Sequence, residues 1–71
     1  MTRIPVDGSS RIASWGYDSE HRTMEIEFVS GGVYQYSDVP LAIWMDAQQA
    51  PSAGKWFDSQ IKGVYPYQRL S

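Results

Sequence analysis

Residues 39–54, VPLAIWMDAQQAPSAG, decide how this chain divides. Asp38, just before them, suits a helix N-cap, and Val39-Pro40 suits a first helical turn, where proline gives up no bond the helix would make. Leu41, Trp44, Met45 and Gln48 then follow at helical spacing, with Ala47 and Ala50 favouring continuation. Pro51 stops the helix, and Ser52 is placed to cap a second one. In that second helix Phe57, Ile61, Val64 and Tyr65 share a face, and Gly63 and Pro66 end it. Tyr65 to Ser71 reads as an extended tail.

Upstream of Asp38 the period is two. Arg22 to Val29, RTMEIEFV, alternates Met24, Ile26 and Phe28 against Thr23, Glu25 and Glu27, which marks a half-buried strand. Ser30-Gly31-Gly32 supplies the positive-φ positions of a tight hairpin, and Val33 to Ser37 returns with Tyr34 and Tyr36 on one face. Ser9 to Tyr17 reads as the remaining strand, with Ala13, Trp15 and Tyr17 opposite Ile12, Ser14 and Gly16. Gly16, between two large rings, marks either a strand break or a place where another backbone comes close. Met1 to Gly8 reads as a lead-in. The expected fold is α+β: a three-stranded antiparallel meander packed against two short C-terminal helices, one domain over residues 1–71 with its core at about 9–70.

A chain of 71 residues buries only about 60% of its unfolded surface, so the core must be efficient. Three Trp, five Tyr and two Phe supply that core, and the absence of cysteine excludes disulfides and thiolate chemistry. No apolar run is long enough to span a bilayer, so no membrane partner and a cytoplasmic location are expected. The net charge of −2 argues against a strongly basic nucleic-acid binder. The charge is uneven, however: in residues 55–71, Lys55, Lys62 and Arg69 face only Asp58, while acids outnumber arginines before them.

The strongest ligand-facing pattern is Ser52-Ala53-Gly54-Lys55. A helix start offers amides without intrahelical partners, Ser52 adds a hydroxyl, Gly54 permits close approach and Lys55 adds charge. Together they suit a phosphate, although the two-glycine spacing of a P-loop is missing. Capping by Ser52 explains the serine equally well. Tyr34, Tyr36 and Tyr65 suit stacking on a base, against the plainer reading of rings packed in a core. Ser9 and Ser10 suit a polar ligand or a local cap. The single histidine, His21, sits in a polar turn, so no catalytic pair, metal centre or cofactor is expected.

The pieces SSRIASWGYD, MEIEFVSGGVYQYSDVP and APSAGKWFDSQIKGVYPYQRL resemble the KTSC domain family, named for its occurrence at the C-terminal end of some lysyl-tRNA synthetases. The resemblance runs from about Ser9 to Leu70 and includes Ser9, Ser10, Gly16, Tyr34, Tyr36, Pro40, Ser52, Gly54, Phe57 and Tyr65. It departs at Asp58, where the family usually carries an asparagine. An ionised carboxylate cannot donate the hydrogen bond that an amide would. The resemblance implies a small cytoplasmic domain of bacteria and their phages, free-standing or attached, with no agreed enzymatic activity and a link to RNA through the synthetase context. A phage-borne copy would suit sequestration of a host nucleotide signal. The function expected is therefore non-enzymatic binding of RNA or a small nucleotide, with phosphate at Ser52, Gly54 and Lys55, Asp58 nearby, and a base at Tyr34, Tyr36 or Tyr65. The alternative is a protein-interaction or homo-oligomeric module, motivated by Trp15, Trp44 and Trp56.

Overall fold

The computed structural model describes residues 1–71. Its sheet has five strands, not three: β1 (Ile4–Pro5), β2 (Ile12–Asp18), β3 (Thr23–Phe28), β4 (Val33–Tyr36) and β5 (Tyr67–Arg69), with helices α1 (Leu41–Ala47) and α2 (Ala53–Gln60) between β4 and β5. All neighbours are antiparallel and the spatial order is the chain order. The expected meander is its centre, β2-β3-β4. Both added strands are edges, of two and three residues, formed from the lead-in and the tail. Pro5 fits such a place, because an edge strand leaves one row of its amides without ladder partners.

β3 alternates as expected, and its Met24 and Ile26 are fully buried. β2 alternates only after an interruption. Ile12 pairs with Phe28, yet Ser14 pairs with Glu27, so Ala13 is an extra residue without a cross-strand partner. The bulge puts Ile12 on the same inner face as Trp15 and Tyr17, whereas strict alternation assigns it to the other. The outer face carries Ser14, Gly16, Glu25 and Glu27. There Ser14 donates to Glu27 at 2.8 Å, and Arg3 pairs with Glu25. A Cβ at Gly16 would lie 2.6 Å from the Thr2 carbonyl oxygen, so the close approach anticipated at this glycine is made by the N-terminal segment.

The helices cover the inner face. α1 begins after Pro40, which occupies the N-cap without a side-chain cap bond; Asp38 is instead in the left-handed region, at φ 61°. The core-facing side of α1 is Ile43, Trp44 and Ala47, while Leu41 and Met45, expected inside, are exposed. In α2, Trp56 joins Phe57 and Ile61 in the core, and Val64 is exposed. Ser52 caps α2 as expected, its Oγ accepting from the Lys55 amide at 3.4 Å.

The three tryptophans pack on one another. Trp15 lies edge-on to Trp44 and Trp56 at centroid distances of 5.9 and 5.6 Å, and Tyr17 stacks on Trp44 at 5.8 Å. The Trp56 indole donates to Asp46 at 2.8 Å, and the Tyr17 hydroxyl donates to the Val39 carbonyl at 2.5 Å. The Trp56 indole and the Tyr17 phenol thus each bring a polar atom to a partner at the edge of this cluster.

Candidate functional site

Two segments far apart in sequence meet beside the N-terminus of α2. The β1–β2 connection brings Ser9, Ser10 and Arg11; the α1–α2 connection and first turns of α2 bring Ser52, Gly54, Lys55 and Asp58. Together they line a cleft of about 710 Å³. Ser9, Ser10, Ser52, Gly54, Lys55 and Asp58 are all among the residues singled out in the sequence.

Arg11 organises this cleft. Its two terminal nitrogens donate to the two Asp58 carboxylate oxygens at 2.6 and 2.8 Å, and one also donates to the Gly54 carbonyl at 3.3 Å. Such a fork matches a planar two-oxygen acceptor. A Cβ at Gly54 would come within 3.3 Å of Arg11 Cδ, so the glycine leaves room for the arginine to cross α2. Hydrogen bonding from Arg11, aided by its charge and that of Lys62, holds the Asp58 carboxyl below the usual carboxylate range. The same bond raises the Arg11 guanidinium above its ordinary value. Both side chains remain about half exposed.

The serines are partly committed. Ser9 Oγ accepts from the amides of Arg11 and Ile12 at 3.2 and 3.0 Å, a local turn that fixes the start of β2. Ser52 accepts from Lys55, while Lys55 itself forms no ion pair and reaches the cleft with its charge free.

The candidate tyrosines lie elsewhere. Tyr34 and Tyr36 line a separate hollow of about 310 Å³ at the other end of α2, together with Phe28, Phe57, Lys62 and Tyr67. Tyr36 is only 5% exposed and belongs to the core; burial, aided by the neighbouring Tyr67 and Tyr34, pushes its phenol up to about 12. Tyr34 is half-buried, with the Arg69 guanidinium 5.7 Å from its ring centre. Tyr65 packs against the core and lines neither hollow. Tyr67, at 64% exposed, is the open ring of the group, 5.7 and 5.6 Å from the rings of Tyr34 and Tyr36.

Sequence reasoning missed Arg11 here, and it placed Tyr67, a stacking candidate by residue type, in an extended tail away from Tyr34 and Tyr36. The departure to an acid at Asp58 was the available signal for Arg11, since a partly shielded carboxylate calls for a cation. The pairing of Tyr67 opposite Tyr36 was hidden because a three-residue edge strand following a proline leaves no period to read.

Five antiparallel strands in chain order, with two helices before the last, define a small α+β domain whose one cleft gathers the serine, glycine and lysine positions. A family model described as the KTSC domain matches residues 8–65, and the chain belongs to that family. The crystal structure of a KTSC domain protein from Yersinia pestis superposes with a TM-score of 0.94 at 41% identity, covering 99% of this chain and 97% of that one. A lysine–tRNA ligase of Trichormus variabilis is 42% identical over 62 residues, which are 87% of this chain and 11% of the ligase. An uncharacterized protein of Stutzerimonas stutzeri is 37% identical over 71 residues, 99% of each chain. The chain therefore spans about a tenth of the ligases it resembles and nearly all of the small Stutzerimonas protein. No helix is long and apolar enough to cross a membrane.

Proposed function

We propose that this domain binds a phosphate-bearing ligand, a nucleotide either free or within RNA, in the cleft between the Ser9–Arg11 segment and the start of α2. The observation that carries this reading is the meeting of Ser9-Ser10 with Ser52, Gly54 and Lys55 across more than forty residues of chain. The first amides of α2 have no intrahelical partners, and the helix dipole favours an anion there. Lys55 adds an unpaired cation, beside the Arg11 guanidinium that Asp58 already holds. The likeness to lysine–tRNA ligases favours RNA as the source of the phosphate, because those proteins are named for a reaction with tRNA.

Thermal unfolding across a panel of nucleotides and short RNAs tests this reading. A ligand that binds the folded state raises the midpoint by mass action, and Lys55→Gln is expected to reduce the shift. A midpoint unmoved by every ligand at millimolar concentration overturns it.

A second reading, a protein-interaction or homo-oligomeric module, draws on Leu41 and Met45, one turn apart on α1 and 50% and 56% exposed. Of the three tryptophans that motivated it, Trp15 and Trp56 are buried and Trp44 is half-buried between Trp15 and Tyr17. Light scattering separates the two: a concentration-dependent dimer that Met45→Glu dissociates favours the module.

A further inference from the structure

The cleft and the aromatic hollow sit at opposite ends of α2, about 12 Å apart for eight residues at the helical rise. Between them runs the Arg11–Asp58 pair, whose charges cancel. Gly54 and Asp58 lie one turn apart on α2, and Lys62 follows in the turn just after its end, so this side of the helix leads from the cleft to the hollow. We propose that the two hollows form one track for a single-stranded nucleic acid, with its backbone along this face and a base against Tyr67.

Three observations carry the proposal. First, Tyr67 is a largely exposed ring beside an aromatic wall formed by Tyr34 and Phe57, the arrangement that lets a base stack irrespective of its identity. Second, Lys55, Lys62 and Arg69 form no ion pair and accompany these two hollows: Lys55 in the cleft, Lys62 in the hollow, Arg69 over the Tyr34 ring. Third, the outer face of the sheet offers no free cation, since Arg3 is paired with Glu25 and Glu27 stands beside that pair, whereas Lys55 and Lys62 lie on the helix side. A phosphate in the cleft and a base in the hollow lie farther apart than the single ribose of a mononucleotide reaches, whereas a strand supplies both at once. This extends the phosphate reading of the cleft and rests on it.

Fluorescence anisotropy with labelled uridine oligoribonucleotides of increasing length, UMP as the competitor and deoxy strands of equal length tests the track. Affinity is expected to rise from the mononucleotide to short oligomers. Tyr67→Ala is expected to weaken the oligomers about tenfold while leaving UMP unchanged, and Tyr67→Phe to retain binding. Lys62→Gln is expected to reduce the salt slope by about one. Binding of ribose or deoxyribose strands with these dependences supports the track, and a preference between them identifies its source. Equal affinity for UMP and oligomers, or oligomer binding insensitive to Tyr67→Ala, overturns the track and leaves the cleft reading standing. Absence of binding by both UMP and oligomers removes the two together.

Discussion

The inner face of the sheet ends in two aromatic groups that behave differently. At the β2 end, Trp15, Trp44, Trp56 and Tyr17 pack together between the sheet and both helices, with the Trp56 indole bonded to Asp46 and the Tyr17 hydroxyl to the Val39 carbonyl. At the β4–β5 end, Tyr34 and Tyr67 stand beside cations and open toward solvent. The cause is helix coverage: α1 and the start of α2 lie over the tryptophans, while only the C-terminal end of α2 reaches the tyrosines. Aromatic content alone therefore does not mark an interface. What distinguishes the open group is the lack of a covering element, together with free positive charge.

The largest expected effect lies in the closed group. Trp15→Ala removes the ring that joins both helices to the sheet and is expected to cost about 3–5 kcal/mol. In a domain of 71 residues that approaches the whole stability, so denaturant titration should find the variant largely unfolded. A loss below about 1 kcal/mol would break the contrast, by showing that the tryptophans are not the structural half.

Trp56→Phe keeps a ring but removes the indole donor to Asp46. The expected loss is about 1 kcal/mol, read from the shift in urea midpoint at unchanged slope. An equal loss in an Asp46→Ala background would assign the effect to packing and not to the bond.

The smallest effect concerns the ion pair between the two hollows. Because the folded-state pKa of Asp58 is depressed, its contribution is present above the ordinary carboxylate range and is lost as pH falls through the folded value. Asp58→Asn is therefore expected to lower stability slightly at neutral pH, with the difference from the parent chain vanishing as pH falls through the folded value, so that this part of the acid limb flattens. A loss of stability that appears only at acid pH would contradict this sign.

Much of the architecture was legible. The β3 alternation, the Gly31-Gly32 hairpin and the two helices followed from period and turn chemistry, because each is settled by residues close in sequence. Three features were not. β1 and β5 are edges formed by distant pairing, and strands of two and three residues are too short for a period to register. The inner side of α1 was misassigned because Leu41 and Met45 share its helical spacing with Trp44, and only the position of the sheet decides between them and Ile43 with Ala47. Asp38 has a good capping side chain, but its left-handed backbone shifts the helix start to Pro40. At the site, Ser52 and Gly54 were visible through local rules. Arg11 meets Asp58 across forty-seven positions, and no local rule reports that.

Ala13 has a consequence of a different kind. Deleting it would leave Ile12 opposite Phe28 and Ser14 opposite Glu27 in an unbroken ladder, with the same inner residues facing the helices. The core does not need this residue. What it adds is a bend, since a bulge turns its strand and tightens the twist, and this bend stands two positions from Arg11. The aim of the guanidinium across α2 is thus encoded in the length of the strand. A deletion at this codon would spare the composition of the core and still misdirect the arginine, whereas many substitutions there would pass unnoticed.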